Sequence, residues 1–173
     1  MSDADEGGIE GIAPERAVLV LAERKARAVS GALGEIVGDP ALVVGCDSMF
    51  EFGDELWGKP SSIEEVGRRW RLMRRSKGVL HTGHFVLDTS TGRHAGRTDS
   101  AVVHFGDPSD SEIAAYGRTA EAMAVAGPFT LEGRSAPWVV SIEGNYGTIT
   151  GISLVVLRLL LGELGVELVD LWH

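Results

Sequence analysis

A short, uninterrupted apolar run, Ala41-Leu42-Val43-Val44-Gly45-Cys46, constrains the fold of this chain more than any other segment. Asp39-Pro40 precedes the run and Asp47 ends it. Because apolar residues fill every position instead of alternate ones, the run is typical of a strand that is buried on both faces. It therefore predicts a strand inside a sheet that helices cover, with the carboxylate of Asp47 at or near its C-terminal end.

Helical patterns lie on both sides of this strand. From Pro14 to about Ser30, apolar residues recur at helical spacing, and Gly31 is a typical C-terminal stop. The other predicted elements are a helix that starts at the capping box Ser61-Ser62-Ile63-Glu64 and runs to about Arg75, a hairpin of strands over Val79 to Asp88 and Ala95 to Phe105, a short helix after the capping box Ser109-Asp110-Ser111-Glu112, and a last helix over Ile152 to Leu164. We therefore expect one α/β domain over residues 1–173, with a mixed, twisted sheet flanked by helices.

The charge balance limits the classes of partner. Lys and Arg total 16 against 25 Asp and Glu, so the net charge is −9, which argues against a general nucleic-acid-binding surface. A local basic pocket for a small phosphorylated ligand stays open, because such a site needs only a few cations. The acidic N-terminus lacks a signal-peptide pattern, no apolar segment is long enough to span a membrane, and the single Cys46 excludes an internal disulfide. We expect a cytoplasmic protein that binds neither nucleic acid nor membranes.

Three charged residues break their local patterns. Lys25 shares a helix face with apolar residues, so either its stem covers apolar surface while its head reaches water, or its ammonium points into a cleft that binds an anion. Asp47, after the apolar run, either caps a turn or faces a ligand. Lys59, between Gly58 and Pro60, is either solvated or meets a phosphate beside a helix N-terminus.

Two further patterns resemble functional sites, but in both cases the residues are better explained without one. His81 and His84 lie three residues apart in a predicted strand, an offset that points them to opposite faces and argues against a chelating pair. Cys46 points away from Asp47 in a regular strand, which favours a buried inert thiol over a nucleophile.

A series of short motifs runs along most of the chain. In order they are Leu21-Ala22-Glu23-Arg24-Lys25-Ala26, Val44-Gly45-Cys46-Asp47-Ser48, Gly58-Lys59-Pro60, Thr82-Gly83, Ala126-Gly127-Pro128-Phe129-Thr130-Leu131-Glu132-Gly133, Ile142-Glu143-Gly144-Asn145 and Gly151-Ile152-Ser153-Leu154. Together, and in this order, they resemble the Maf family of nucleotide pyrophosphatases, originally named as septum-formation proteins.

The N-terminus departs from that pattern. Members of the family begin with a strand and an S-x-S-x-R-like loop that contacts the substrate phosphates, and this sequence has no such segment. Instead, Ser2-Asp3-Ala4-Asp5-Glu6 resembles the family's next acidic motif. A start codon assigned too late and a real truncation that weakens activity both account for this departure.

The resemblance implies a fold, a reaction and roles for particular residues. It implies a Maf- and ITPase-like fold and hydrolysis of a nucleoside triphosphate between the α and β phosphates, giving a nucleoside monophosphate and pyrophosphate. Asp47 would be the base that activates water, Lys25 and Lys59 would hold the triphosphate, and Glu6 and Asp47 would hold Mg²⁺ or Mn²⁺. A homodimer is also implied. The apolar C-terminal segment with Leu168, Leu171 and Trp172 would pack on its own core or cover the dimer interface.

The resemblance also places Thr82, Phe129 and Glu132 at the base pocket. Phe and Glu at the last two positions resemble a subgroup that acts on 7-methyl-GTP, whereas Tyr and Gln resemble one that acts on dTTP and UTP. A carboxylate accepts two hydrogen bonds from the N1–H and N2–H edge of guanine, so Glu132 favours a guanine-type base unless it is only a turn residue before Gly133. The competing functions are a house-cleaning pyrophosphatase for damaged nucleotides and a non-catalytic protein, either a nucleotide-binding remnant or an interaction partner in cell-division control.

Overall fold

The computed structural model describes residues 8–9, 11–36 and 40–172 of the chain, which contain both helices and strands. In chain order the elements are α1 (Pro14–Ile36), β1 (Leu42–Phe52), β2 (Glu55–Trp57), α2 (Ile63–Met73), β3 (Lys77–Asp88), β4 (His94–Phe105), α3 (Asp110–Gly117), α4 (Ala120–Ala124), β5 (Val139–Glu143), α5 (Tyr146–Ile149) and α6 (Leu154–Glu163), with 3₁₀ turns at Ala136–Trp138 and Leu168–Leu171. Both predicted sides of the hairpin and all four predicted helices are therefore present.

Within the described residues, the strands form one five-stranded sheet in the order β2-β1-β3-β4-β5. Phe50 of β1 lies opposite Trp57 of β2, and Val103 of β4 lies opposite Ile142 of β5, both in antiparallel register. The N–H of Thr89, just after β3, donates to the carbonyl of Ala41, just before β1, so these two central strands are antiparallel as well. The α/β class with helices flanking one sheet is confirmed, and the strands run antiparallel where we expected a mixed arrangement. The prediction that β1 is buried on both faces is wrong, since Val44 is 40% exposed.

Two element boundaries differ from the prediction in ways that matter for the site. The strand β1 continues past Asp47 to Phe52, because its second half pairs with β2, and Asp47 therefore lies in the middle of a strand instead of at its end. The helix α1 continues through Gly31 to Ile36. Gly31 has open space around its Cα and lies before a helix-compatible segment, so it does not act as the predicted stop.

Smaller boundary differences concern the helix caps. The helix α2 begins after Ser62, whose side chain accepts a hydrogen bond from the Glu65 N–H, one residue later than the predicted box. The second capping box is confirmed, since Ser109 and Glu112 satisfy each other's backbone N–H groups at the start of α3. Gly165, with a φ of 78°, follows the end of α6 as a left-handed glycine should.

The described residues form two compact units. One unit contains the described residues up to Asp47, residues 82–99 and those from Gly151 onward, and the other contains residues 48–81 and 100–150. The strands β1, β3 and β4 each contribute residues to both units. The expectation of a single domain stays a prediction.

The second unit is built around an aromatic core. Phe50 contacts Phe105 and Phe129 edge to face, with ring centroids 5.9 and 5.3 Å apart, and edge-to-face contact is the favoured geometry for such pairs. The Trp70 indole N–H donates to the Pro128 carbonyl at 2.8 Å, so the largest buried ring also has its polar atom satisfied. The buried members of this core are Phe50, Trp57, Val66, Trp70, Met73, Leu80, Val103, Phe105, Ile113, Tyr116, Ala122 and Phe129.

In the first unit, α1 lies directly on two strands at glycines. A Cβ on Gly45 of β1 would lie 2.8 Å from the Ala26 nitrogen, and one on Gly83 of β3 would lie 2.6 Å from the Leu19 nitrogen. Real Cβ atoms essentially never approach backbone that closely. Glycine at both positions is therefore what allows the helix backbone to touch the sheet.

The helix α6 is joined to β3 through a buried histidine. The Ser153 N–H, at the N-cap of α6, donates to Nε2 of His84 at 2.7 Å, and His84 is fully buried. Because Nε2 accepts this hydrogen bond, His84 is neutral in the folded protein.

Among the described residues, no helix is long and apolar enough to cross a bilayer.

The contact at Gly45 predicts a sharp contrast between two glycine-to-alanine variants. Gly45→Ala forces α1 away from β1, and overpacking of this kind costs about 1–3 kcal/mol of unfolding free energy. Gly31→Ala is the control, because Gly31 lies in α1, the helix that contacts Gly45, and no atom lies within 4 Å of the added Cβ. This variant is expected to raise the unfolding free energy by about 0.5–1 kcal/mol. Urea unfolding followed by circular dichroism measures both. Equal shifts for the two variants would contradict the close approach.

The buried His84 predicts a loss of stability on acidification. Burial lowers the pKa of His84 below its ordinary value of 6.5, against the opposing effects of nearby backbone groups and Asp99. The stabilisation is therefore complete above pH 6.5 and is lost as the pH falls below it towards the folded-state pKa, since the unfolded chain takes up the proton first. Unfolding free energies at pH 7.5 and 5.5 should fall less in His84→Gln than in the unsubstituted chain, whereas a variant of the exposed His94 should retain the full dependence.

Candidate functional site

The most distinctive polar contact in the first unit joins α1 to β1. The Lys25 ammonium forms an ion pair with Oδ1 of Asp47, and the two side chains are 41% and 15% exposed. The residues on either side of Lys25 along the helix, Ala22 and Ala26, touch the strand at Gly45. This contact brings the lysine within reach of a carboxylate two residues farther along β1.

This geometry bears on the alternatives for both residues, whose roles at a ligand stay predictions. Asp47 lies mid-strand and therefore does not cap a turn. Lys25 is directed at a carboxylate instead of extending alone into water. Ion pairs this exposed contribute only about 0–1 kcal/mol to stability, so the pair is better explained by what it holds in place than by the stability that it adds.

Cys46 contacts the same lysine through its backbone and not through its sulfur. The Lys25 ammonium lies 3.4 Å from the Cys46 carbonyl oxygen. Burial raises the pKa of the Cys46 thiol to about 11, only partly offset by the charge of Lys25. The thiol is therefore protonated at neutral pH, in agreement with the prediction of an inert cysteine.

Lys59 lies in the second unit, in the loop between β2 and α2. Its side chain is exposed, and it forms no hydrogen bond or ion pair with any residue that the structure describes. The helix that follows begins after Ser62. An ammonium before a helix N-terminus is well placed for an anion, and the role of Lys59 at the phosphates stays a prediction.

Glu132 lies in a turn whose conformation is fixed by another carboxylate. Oε1 of Glu121 accepts from the Thr130 hydroxyl at 2.8 Å and from the Arg134 N–H at 3.0 Å. Burial opposes ionisation of Glu121, but these hydrogen bonds outweigh it and hold its pKa below the ordinary value. A Cβ on Gly133 would collide with the same carboxylate and with Thr130. The turn is thus built on Glu121.

The Glu132 side chain is itself held in place. Its Oε1 accepts a hydrogen bond from the Tyr146 hydroxyl at 2.8 Å, and the residue is exposed. Phe129, three residues earlier, is only 4% exposed and lies in the aromatic core. The two predicted base-pocket residues of this segment therefore differ in environment, one a core side chain and the other an oriented surface carboxylate.

The remaining predicted residues fall in several places. Thr82 on β3 is fully buried in the first unit, and its role at the base pocket stays a prediction. Glu6 lies outside the described residues. His81 bonds Glu51 and Ser100, each at 2.8 Å, while His84 bonds Ser153, so the two histidines have separate partners and do not chelate together. No group of three or more His, Cys, Asp or Glu side chains in the described ranges is arranged to hold a metal ion.

Sequence reasoning missed three residues of the second unit that hold segments with predicted site residues. Glu121 holds the turn around Glu132, and Tyr146 holds the Glu132 side chain. Neither stands out in a local pattern, because their partners are 9 to 14 residues away in sequence. Arg69 was detectable, since it lies on α2 between the apolar residues Val66 and Met73, both fully buried. Arg69 is thus a charged residue within an apolar helical stripe, and this is the same signal that singled out Lys25.

The predicted homodimer stays a prediction. Leu168 packs partly against the core next to α6, but Leu171 and Trp172 are 45% and 73% exposed. On α6 itself, Leu154 and Val155 are also exposed. Leu168 therefore takes the packing role expected for the segment, and the interface role stays a prediction.

Comparison with known proteins connects these residues to a family. A model of the family described as Maf-like protein matches residues 1–164. A nucleoside triphosphate pyrophosphatase from Streptomyces avermitilis is 48% identical over 172 residues, which is 99% of this chain and 82% of the relative. Proteins of the same name from Streptomyces coelicolor and Salinispora tropica are 46% and 42% identical over 99% of this chain, which covers 82% and 76% of their lengths. The chain that pairs Lys25 with Asp47 across α1 and β1 thus belongs to the Maf-like protein family.

Proposed function

We propose that this chain is a nucleoside triphosphate pyrophosphatase, a hydrolase that cleaves the bond between the α and β phosphates. The names of its relatives support the reaction class. The observation that carries the proposal for this chain is the Lys25–Asp47 pair, because it sets a base and a phosphate-binding cation side by side, where the family motifs place them. The partner is a nucleoside triphosphate.

The proposed chemical step needs one base and a stabilised leaving group. A water oxygen bonds to the α-phosphorus while the bond from that phosphorus to the bridging oxygen breaks. The water proton passes to the Asp47 carboxylate, and the electrons of the broken bond leave on pyrophosphate. General base catalysis by a positioned side chain contributes on the order of 10²–10⁴-fold. Lys25 keeps Asp47 oriented and places positive charge beside the phosphates.

The resemblance implies a divalent cation. The carboxylate of Asp47, the predicted metal ligand that the structure describes, has the oxygen donors that such an ion prefers. Mg²⁺ bound to nucleotides uses one or two carboxylates together with substrate phosphate oxygens, and Mn²⁺ accepts the same oxygen donors. Oδ1 of Asp47 faces Lys25, and Asp47 together with Glu6, which lies outside the described residues, would hold the ion. When bound, Mg²⁺ or Mn²⁺ supplies positive charge that neutralises the phosphate oxygens.

Lys59 is proposed as a second ligand of the phosphates. Its ammonium is exposed, without a partner among the described residues, and close in sequence to the start of α2. An exposed cation that is not consumed by a neighbouring carboxylate retains its charge for an anionic ligand. One charge–charge contact near a surface is worth about 4 kcal/mol before desolvation.

For the base, we propose a guanine-type substrate such as 7-methyl-GTP, with dTTP and UTP as the alternative. Each carboxylate oxygen accepts two hydrogen bonds, so the bond from Tyr146 leaves three acceptor positions on Glu132. That capacity is enough for the N1–H and N2–H donors of guanine. Uracil and thymine present a mixed donor and acceptor edge, for which an amide is the better partner.

Replacement of the base tests the reaction. Asp47→Asn removes the proton acceptor while it keeps the side-chain shape, and turnover should fall by about 10²–10⁴-fold. Pyrophosphate release from GTP, 7-methyl-GTP, UTP, dTTP and CTP, with Mg²⁺ or Mn²⁺, measures the effect. Asp170→Asn, which removes an exposed carboxylate elsewhere, is the matched control and should keep full activity. A folded but inactive unsubstituted chain would instead support the nucleotide-binding remnant.

Replacement of Glu132 tests the choice of base. Glu132→Gln turns one acceptor oxygen into a donor, and hydrogen bonds to charged groups are worth about 1.5–3 kcal/mol, so the ratio of kcat/KM for 7-methyl-GTP over UTP should fall by roughly ten- to a hundredfold. Pyrophosphate release with both substrates gives this ratio. Glu167→Gln, at an exposed position outside the turn, is the control. An unchanged ratio would mean that Glu132 does not read the base.

A further inference from the structure

We propose that Arg69, together with Glu65, is a positioning residue that holds the loop of residues 57–61 and so presents the Lys59 ammonium to the substrate phosphates. This inference rests on the proposed function, because it takes Lys59 to be a ligand of the triphosphate. It adds a role for two residues of α2 that the family motifs leave out. All of the contacts that support it lie within the second unit.

Arg69 differs from the other arginines of α2 in its burial. The side chains of Arg68 and Arg71 are 59% and 51% exposed, whereas that of Arg69 is only 7% exposed. Its Nη1 donates to the Gly58 carbonyl at 2.6 Å. Its guanidinium carbon lies 5.2 Å from the centre of the Trp57 ring, within range of a cation–π contact. The guanidinium thus fixes the two residues that lead into Lys59.

Glu65 fixes the other end of the same loop. Its Oε1 accepts from Nη2 and Nε of Arg69 at 2.6 and 3.1 Å. Its Oε2 accepts from the N–H and the hydroxyl of Ser61 at 2.8 and 2.7 Å. The hydrogen bonds from Ser61, followed by those of Arg69, lower the pKa of Glu65 to about 2. Glu65 is therefore ionised at neutral pH.

The two contacts bracket Lys59. The carbonyl of the residue before it is held by Arg69, and the N–H of the residue two positions after it is held by Glu65. Pro60 restricts the backbone between them, because its ring fixes φ near −65°. The Lys59 side chain, between these two contacts, has no hydrogen-bond or ion-pair partner among the described residues. A loop fixed on both sides of one free cation is preorganised for a ligand that the cation binds.

Stability alone does not account for a buried arginine at this position. A buried ion pair is often no more stabilising than apolar residues of similar volume, since desolvation cancels most of the attraction. Trp57, Val66 and Met73 already make the surroundings apolar. What an apolar residue cannot supply here is the hydrogen bond to the Gly58 carbonyl, which is the contact that reaches the loop.

A double-mutant cycle between Arg69 and Lys59 tests the inference. The four proteins are the unsubstituted chain, Arg69→Met, Lys59→Met and the double variant. Two quantities are measured: kcat/KM for the best nucleotide substrate, and the inhibition constant of inorganic pyrophosphate, which has no base. Misplacement of a binding group by about 1 Å costs up to 10²-fold. We therefore expect Arg69→Met to weaken both quantities by roughly ten- to a hundredfold.

The decisive result is the effect of Arg69→Met when Lys59 is already absent. If Arg69 acts through Lys59, the substitution has almost no further effect in the Lys59→Met background. An equal loss in both backgrounds would overturn the positioning role and leave Arg69 as a structural residue. A Lys59→Met variant with unchanged kcat/KM and pyrophosphate inhibition would instead overturn the proposed role of Lys59, which is a separate failure.

Two further variants keep the test interpretable. Arg71→Met removes a positive charge from the same helix, but that charge is exposed and pairs with Asp110, so both measured quantities should stay unchanged. Glu65→Gln keeps the side-chain volume and weakens the hold on Ser61 and Arg69. It replaces Arg69→Met in the cycle if the melting temperature of that variant shows unfolding, and the same coupling to Lys59 is expected.

Discussion

The contact of the α1 backbone with β1 and β3 is the constraint on which the first unit depends. Two strands carry glycine where the helix crosses them, and any side chain at Gly45 or Gly83 would meet helix backbone. Because a helix turns through a fixed angle at each residue, this contact also determines which residue faces the strand beyond it. Lys25 meets Asp47 for that reason.

The sequence was sufficient to predict α1, α2, α3 and α6 and the hairpin of β3 and β4, but not the short helices α4 and α5. Each of the predicted elements depends on local periodicity or on a capping pattern, as with Ser109 and Glu112. The length of β1 was not predictable in the same way. Its second half is a strand only because β2 pairs with it, and a three-residue strand such as β2 gives no periodic signal. Because this pairing was not predicted, the position of Asp47 in the middle of the strand was not predicted either.

The contacts of individual side chains show the same limit: a local signal is visible in the sequence, but a partner in another element is not. Lys25 and Arg69 both stand in apolar helical stripes, and the structure gives each a specific partner, a strand carboxylate in one case and a loop carbonyl in the other. The anomaly was visible in the sequence, but the partner was not, because it belongs to another element. Glu121 had no local anomaly at all. Its importance comes entirely from the turn that folds over it.

The turn that carries Phe129 and Glu132 separates two functions within one short motif. Phe129 contacts Phe50 and Phe105 and anchors the segment in the core. Glu132 is exposed and its carboxylate is oriented by Tyr146. A change at the first position therefore alters packing, whereas a change at the second alters only the hydrogen-bonding character of a surface group. If Glu132 contacts the base of the substrate, substitution of Glu132 can change which base is preferred without loss of the fold. The core contact of Phe129 and the hydrogen bonds of Glu121 hold the turn independently of Glu132.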